Sequence, residues 1–167
     1  MKKTLDIDPN HIFARGSFDT LMGIQLYEDG KIQEAAERLH EVVRHFPQQS
    51  RASHYLGLIA LGRRQTDSAI SHFSNAVKAN PGYTEAYVNL GIALAGKEEY
   101  AKADEAFSEA LKIEPGLVKA HYNYAASLYL QHRDEEAVEE LTKTLEIDPN
   151  FKQARDLLNS IQMANNE

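Results

Sequence analysis

His40, Glu41 and His45 are the residues whose types and order come closest to a catalytic motif. The zinc-protease pattern H-E-x-x-H puts two histidines four residues apart, so that both side chains leave one face of a helix and share a Zn²⁺ ion. Here the histidines are five residues apart. At about 100° per residue they point roughly 140° apart around a helix. The spacing argues against a shared metal ion, and we expect both side chains to be solvated.

The other potential ligands and nucleophiles do not form a second site. The chain contains no cysteine, which excludes thiolate metal sites, disulfides and cysteine nucleophiles. Four more histidines have no acidic or histidine partner at ligand spacing, namely His11, His54, His72 and His132. Acidic runs such as 134–136 fall at predicted helix starts, where carboxylates favour the positive end of the helix dipole. We therefore expect no catalytic residues, no metal ion and no cofactor.

Charge and hydropathy narrow the possible partners. The 167 residues include 18 Lys and Arg against 25 Asp and Glu, giving a formal net charge of -7. Such a surface repels a phosphate backbone unless basic residues cluster, so we expect no nucleic-acid partner. The longest apolar run, residues 56–61, is far shorter than the roughly 20 residues of a membrane span. Asp6, Asp8 and Pro9 lie where the apolar run of a signal peptide would have to be, so we expect no signal peptide. We expect a cytoplasmic protein without membrane insertion.

Four prolines recur at a fixed spacing and set the frame of the chain. The interval between successive prolines is 34 positions, from Pro47 to Pro81, Pro115 and Pro149. Because a fixed period of this length is the signature of repeat architectures, the spacing predicts four repeats. The predicted division is an N-terminal half-helix and extension over 1–15, repeats over 16–49, 50–83, 84–117 and 118–151, and a C-terminal capping helix with tail over 152–167.

Each repeat is expected to be an antiparallel hairpin of two helices. In the third repeat the small residues Gly91 and Ala103 let the two backbones approach closely, and apolar residues recur every three to four positions. Turn signals such as Asp29-Gly30 and Thr66-Asp67 are expected to stop the first helix and cap the second. The predicted helices span about 12–29, 31–46, 51–63, 67–79, 84–96, 100–113, 118–131 and 134–147, with a ninth over 152–163.

The opening residues repeat a later stretch of the chain. Residues 3–10 read K-T-L-D-I-D-P-N and residues 143–150 read K-T-L-E-I-D-P-N, a difference at one position. The opening therefore resembles the tail of a second helix. The interval from Pro9 to Pro47 is longer than the regular interval between the later prolines, so about one extra helical turn precedes Gly16.

The residues of the third repeat resemble those of a known family. Its pattern is Tyr87-x2-Leu90-Gly91-x2-Leu94, then Ala103-x3-Phe107, Ala110 and Pro115. This resembles the tetratricopeptide repeat (TPR) signature W-x2-L-G-x2-Y, A-x3-F, P. The resemblance implies an all-α fold, a right-handed α-solenoid of stacked antiparallel helix hairpins whose first helices line a concave face. In the fourth repeat His121 takes the place of the leading aromatic residue, where we expect it to pack.

The same resemblance implies a function, which is to bind a peptide or helix of a partner protein along the concave groove. The residues that it places there as partner contacts are Tyr27, Arg51, His54, Tyr55, Leu58, Asn89, Ile92, Lys119, Tyr122, Asn123 and Tyr129. Asn89 and Asn123 occupy the same place in consecutive repeats. Because an amide both donates and accepts, each can pair with the backbone groups of a bound peptide. The tyrosines offer flat apolar bodies with orienting hydroxyls.

Three other interpretations of the repeats stay open. A clamp for the C-terminal carboxylate of a chaperone needs paired cations, and His54, Leu58 and Asn123 stand where such a clamp would have a Lys, an Asn and an Arg. Some free-standing bacterial members of the family stack, so the arc could form homo-oligomers. The chain could also be the TPR portion of a larger enzyme or assembly factor.

Overall fold

The structure is a computed structural model that describes residues 9–164, in which α-helices alternate with short turns and no strand occurs. The described helices are α1 (Pro9–Glu28), α2 (Ile32–His45), α3 (Ser50–Gly62), α4 (Thr66–Ala79), α5 (Thr84–Ala95), α6 (Tyr100–Ile113), α7 (Val118–Leu130), α8 (Asp134–Ile147) and α9 (Lys152–Ala164). The predicted all-α class is confirmed. Apart from α1, each helix agrees with its predicted bounds to within one residue at each end.

The first helix differs from its prediction at its N-terminal end. It was expected to begin at residue 12, and it begins at Pro9. Proline is tolerated in the first turn because its missing N–H would have no partner inside the helix. Residues 9–15 of the predicted extension therefore continue directly into the first repeat, and the rest of that extension lies outside the described residues.

The chain divides into two compact units, Met1–Pro81 and Gly82–Glu167. In the first unit α1 pairs with α2 and α3 pairs with α4, and α3 also packs on α2. In the second unit α5 pairs with α6 and α7 pairs with α8, while α9 packs on α8. Helices that follow each other through a short turn are thus hairpins in both units, as the small residues and turn signals predicted.

The glycine of a first helix lies against a large side chain of the second helix. A Cβ atom added at Gly57 would come within 2.4 Å of Cε1 of Phe73, and one added at Gly91 would come within 2.7 Å of the same atom of Phe107. Both rings are buried, and Ala103 is buried in the same hairpin as Phe107. The glycine therefore makes room for an aromatic ring of the second helix. The close approach of the two helices depends on this ring as well as on the small residues of the hairpin.

The turn inside each hairpin contains one residue in the left-handed conformation, and these residues recur with the same period as the prolines. They are Gly30, Arg64, Glu98 and His132, with φ between 57° and 77°. At the third of them, Glu98 N–H donates to Ala95 O and Glu99 N–H donates to Leu94 O, the bonds of a Schellman motif. The residues that precede the second helices, Lys31 and its three equivalents, make no side-chain capping bond. The backbone motif therefore ends the first helix. The residue that precedes the second helix does not cap it with its side chain.

Each unit has its own apolar core. In the first, Leu39 and Val42 of α2 pack with Leu56 and Ile59 of α3. In the second, residues of α7, α8 and α9 form one cluster that contains Leu128, Leu141, Ala154 and Ile161. Without α9, the side of α8 that carries Leu141 would face water, which is the usual reason for a terminal capping helix in a repeat protein.

Candidate partner-binding surfaces

The first helices of the second unit present a face that we call the α5–α7 face. It consists of the predicted contact residues Asn89, Ile92, Lys119, Tyr122, Asn123 and Tyr129. Small residues elsewhere on the same two helices, such as Ala86 and Ala120, are fully buried. Lys119 and Ile92 are exposed, Ile92 to 38%, and the other four are half-buried. An exposed isoleucine beside polar side chains gives this face both apolar and hydrogen-bonding character.

Asn123 is held by a hydrogen bond within its own helix. Its Nδ2 donates to the backbone oxygen of Lys119, one helical turn earlier, at 2.7 Å. An amide nitrogen has two N–H groups and an amide oxygen can accept two bonds, so this contact uses one donor of the side chain. Asn89 lies at the equivalent position of α5 and is half-buried. The two amides therefore lie at equivalent positions of successive first helices.

The tyrosines of the α5–α7 face also pack within the unit. The ring of Tyr122 lies 5.1 Å from the ring of Phe151, which immediately precedes α9. Tyr129 packs at the edge of the apolar cluster that α9 completes. Each of these tyrosines is half-buried, so each has a packed side and an accessible side. The sequence analysis did not include Phe151, whose position just before a helix gave no functional signal.

The first unit has a corresponding face on α1 and α3. Tyr27 and Tyr55 meet edge to face with ring centroids 5.3 Å apart, an arrangement that joins the first helices of successive hairpins. Arg51 is exposed, and Leu58 is half-buried. This face therefore combines a packed tyrosine pair with the exposed positive charge of Arg51.

His54 was predicted to contact a partner, and the structure places it in the core instead. Only 7% of its surface is exposed. Its ring lies 5.6 Å from the ring of Tyr55 and 5.6 Å from that of Phe73. Because Phe73 belongs to the second helix of the same hairpin, this contact turns the imidazole inward. We therefore assign His54 to packing.

The structure also shows a buried histidine–glutamate contact that the sequence analysis missed. His121 Nδ1 lies 2.6 Å from Glu140 Oε2, and His121 Nε2 lies 2.9 Å from the backbone oxygen of Pro115. Because that carbonyl oxygen can only accept, Nε2 carries a proton. Lys143 Nζ donates to Glu140 Oε1 at 2.6 Å, so both oxygens of this carboxyl group have partners. The contact between His121 and Glu140 joins α7 to α8.

Further charged groups link the elements of the second unit. Arg133 donates to Glu136 and to Asp104, so it joins the start of α8 to α6. The hydrogen bond with Glu136, and then that with Asp104, raises the pKa of Arg133. The hydrogen bond with Glu140 raises the pKa of Lys143. These shifts come from structural ion pairs, and none of the groups involved belongs to the α5–α7 face.

The histidines of the apparent protease motif meet other neighbours. His40 and His45 are both exposed, and the ring of His40 lies 5.6 Å from the ring of His72 on α4. Burial, and secondly the nearby His40, lower the pKa of His72. Residues 9–164 contain no group of three or more His, Cys, Asp or Glu side chains that could hold a metal ion. None of the helices described within that range has the length and apolar character required to cross a bilayer.

The comparisons with known proteins identify the family. One tetratricopeptide repeat model matches residues 20–83 and 56–118, and a second tetratricopeptide repeat model matches residues 94–161. These matches cover well over half of the chain, and the chain belongs to the tetratricopeptide repeat family. The fold is accordingly an all-α helical-repeat solenoid. Members of this family are generally non-catalytic interaction scaffolds.

Solved structures of the same fold agree with this assignment. The crystal structure of MamA is 26% identical, with a TM-score of 0.75, and the match covers 89% of this chain and 83% of that chain. YrrB, described as a TPR protein with an unusual peptide-binding site, is 24% identical with a TM-score of 0.74, covering 81% of this chain and 70% of that chain. The first TPR of Spaghetti (RPAP3), bound to the HSP90 peptide SRMEEVD, is 22% identical with a TM-score of 0.69. The match covers 72% of this chain and 95% of that chain. The last two likenesses show the fold alone. A comparison with curated proteins found no match.

Proposed function

We propose that this protein is a non-catalytic scaffold that binds a peptide or a helix of a partner protein on the first helices of its hairpins. Family membership supports an interaction role in general. The accessible side chains of α5 and α7 support this particular surface. On α5 and α7 the small residues are buried, and polar and apolar groups remain accessible beside them.

The observation that carries the proposal is the ordered amide of Asn123. Its own helix holds one N–H through the Lys119 carbonyl, so the side chain needs little further ordering when a ligand arrives. The amide oxygen and second N–H suit the N–H and C=O groups of an extended polypeptide. Ile92 offers an apolar contact, and the Lys119 ammonium suits an acidic side chain. A polypeptide segment with alternating apolar and acidic residues is therefore the proposed ligand class.

Peptide selection provides a direct test of this surface. Random peptides displayed on phage would be selected against the wild type, and the affinity of the best binder measured by calorimetry. We expect the double substitution Asn89→Ala and Asn123→Ala to weaken binding by about thirtyfold, since the loss of one hydrogen bond of roughly 1 kcal/mol at each position adds up to about 2 kcal/mol. The thermal midpoint should change little, because neither side chain belongs to an apolar cluster.

A matched control uses asparagines that are exposed elsewhere. Asn75 lies on α4 and Asn159 on α9. The double substitution Asn75→Ala and Asn159→Ala should leave the affinity unchanged. Equal binding by the Asn89/Asn123 variant would place the ligand on another surface and contradict the proposal.

Head-to-tail self-assembly is the second candidate, and the two chain ends do not favour it equally. α1 exposes Phe18, Leu21 and Met22, which would suit a partner surface. The exposed side of α9 is largely polar, with Lys152 and Asp156 paired at 2.8 Å, and Met163 is its one exposed large apolar residue. An apolar face gains little from covering a polar one, because the polar groups lose water. Sedimentation across a wide concentration range would reveal such assembly.

The cytoplasmic location and the absence of a nucleic-acid partner stay predictions from composition.

A further inference from the structure

The outer side of α1 has three large apolar residues that are exposed in the part of the chain that the structure describes. They are Phe18, exposed to 62%, Leu21, to 52%, and Met22, to 41%. Because Phe18 lies three positions from Leu21 and four from Met22, the three side chains share one side of the helix. Thr20 and Ile24, on the opposite side, are buried. We call the exposed side the α1 patch. Contiguous exposed apolar residues mark a contact surface more often than scattered ones do.

Charged residues lie at the two ends of the α1 patch. Arg15 precedes Met22 by seven positions, and Asp29 follows Met22 by seven positions. Seven residues make nearly two helical turns, so the three side chains lie close to one line along the helix. Asp29 N–H donates to the backbone oxygen of Gln25 at 2.9 Å, so the helical hydrogen bonding reaches Asp29. The patch therefore has a positive end, an apolar middle and a negative end.

Both charged side chains are accessible in the single chain. The Arg15 side chain is 77% exposed, and its Nε lies 3.7 Å from Asp19 Oδ2, which is too long for a strong hydrogen bond. Asp19 also accepts a hydrogen bond from Arg38 at 3.0 Å. Asp29 is exposed, and its Oδ1 accepts from Gln25 Nε2 at 2.9 Å. A carboxylate has about four acceptor sites, so Arg15 and Asp29 can each bind an opposite charge from outside the chain.

We propose that a second copy of this chain covers the α1 patch, with the two α1 helices antiparallel about a two-fold axis at Met22. The axis brings the two Met22 side chains together and puts each Arg15 opposite Asp29 of the other copy. Phe18 and Leu21 pack beside the axis, and their removal from water favours the pair. An isologous contact of this kind uses the same surface twice, unlike a head-to-tail contact.

The order of the charges favours a second copy over an unrelated partner. A helix that covers the patch must carry a negative charge opposite Arg15, a positive charge opposite Asp29, and apolar side chains between them. α1 itself meets this requirement when it runs in the reverse direction, because the two charges are equally far from Met22. The contact involves one helix of about 30 Å from each copy. A contact confined to one pair of helices is small for a specific interface, so we expect a reversible dimer.

The test is sedimentation equilibrium of the full chain over a wide concentration range. Arg15→Asp and Asp29→Arg each bring like charges together at both ends of the dimer, so each should raise the dissociation constant about tenfold or more. An equimolar mixture of these two variants should dimerise as the wild type does. In the mixed dimer the new carboxylate at position 15 faces the new guanidinium at position 29, and the original Arg15 faces the original Asp29.

A matched control uses an arginine of the same unit outside the patch. Arg44 lies on α2, its side chain is 69% exposed, and its Nη2 lies 3.6 Å from Glu41 Oε1. It therefore resembles Arg15 in exposure and in its loose contact with a carboxylate. Arg44→Asp should leave the dissociation constant unchanged, and circular dichroism should show the same helix content in every variant.

The apolar middle of the contact has its own test, because Phe18→Asp would put a charge there and should abolish dimerisation. A wild type that stays monomeric at every concentration would overturn the proposal. So would an associating wild type whose Arg15 and Asp29 variants stay dissociated when mixed, or an equal loss in Arg44→Asp, because the association would then not use the two-fold contact. The proposal goes beyond peptide binding, and because these measurements need no peptide, their failure is independent of the proposed function.

Discussion

At the scale of single residues, the fourth hairpin contains a buried histidine–glutamate pair where the third has an aromatic residue and an alanine. His121 and Glu140 occupy the positions that Tyr87 and Ala106 hold one repeat earlier. A large ring opposite a small residue fills such a site without charges. In the fourth hairpin the ring is smaller, and Glu140 occupies the space and supplies the partner that the buried imidazole requires.

This exchange can be tested by transplanting the pair. Glu140→Ala alone should lower the free energy of unfolding by about 2 kcal/mol, because it leaves the buried His121 imidazole without one of its hydrogen-bond partners. The double variant His121→Tyr with Glu140→Ala restores the combination of the third hairpin. It should be as stable as the wild type or more so, because apolar packing at this site avoids the cost of removing polar groups from water. Urea unfolding of the wild type and the two variants measures these stabilities. A double variant that is less stable than Glu140→Ala would contradict the prediction.

The His72 imidazole gives a pH dependence in the other unit. Burial, and secondly the nearby His40, lower its pKa below the ordinary value of 6.5. The unfolded chain then binds this proton more readily than the folded one, so stability falls as the pH drops from about 6.5 through the lower folded pKa. NMR titration should show that pKa, and His40→Gln should raise it towards 6.5. The stability difference between wild type and His72→Gln should change over the same pH range. An unshifted His72 pKa would refute the argument.

At the scale of the elements, each hairpin depends on a ring of the second helix lying where the first helix has no side chain. The Phe107 ring is buried between Gly91 and Tyr124, whose ring stacks on it at 5.6 Å. It therefore contacts α5 and α7 while belonging to α6. One ring connects two hairpins, so a change at the glycine affects both.

Replacing Gly91 by valine should be strongly destabilising. Its Cβ would lie 2.7 Å from Phe107 Cε1, and the buried ring has little space to move. Overpacking of this kind costs about 1–3 kcal/mol, which exceeds the gain of roughly 0.5 kcal/mol from removing a helical glycine. Gly62→Val is the control, because nothing lies within 4 Å of a Cβ there. Thermal melts of both variants provide the comparison, and equal midpoints would show that the ring yields.

At the scale of the molecule, the two units each contain complete hairpins and a core of their own. The second unit also has a helix that closes its end, since α9 buries Ala154 and Ile161 against α8. Stability in repeat proteins is approximately a sum over repeats and their interfaces. A unit with two hairpins and a terminal helix therefore contains the interactions that stabilise it.

We expect the fragment Gly82–Glu167 to fold by itself. Its circular dichroism should be helical, and it should unfold cooperatively in urea because Phe107, Leu128, Leu141 and Ile161 remain packed. The fragment 82–151, which lacks α9, should be distinctly less stable, since the α8 side chains of the last cluster would face water. A helical but non-cooperative longer fragment would mean that the unit depends on the rest of the chain.

The sequence alone determined the number of hairpins and the bounds of most helices. Prolines at a fixed interval and apolar residues every three to four positions are local signals, and local signals fix helices and turns. The same signals located Asn89 and Asn123 on first helices. They failed at α1, because its first turn begins with a proline that elsewhere in the chain lies in a turn.

Only the tertiary structure decided which side chains face inward and which charges meet. Arg64, Glu98 and His132 adopt a conformation that favours glycine, and no local preference predicts this, because the geometry of the two packed helices imposes it. His54 is buried by rings from its own helix and from α4. His121 and Glu140 lie on different helices and meet because the hairpin sets their register. A periodic sequence determines where helices form, whereas the contacts between them depend on how the whole set of side chains packs.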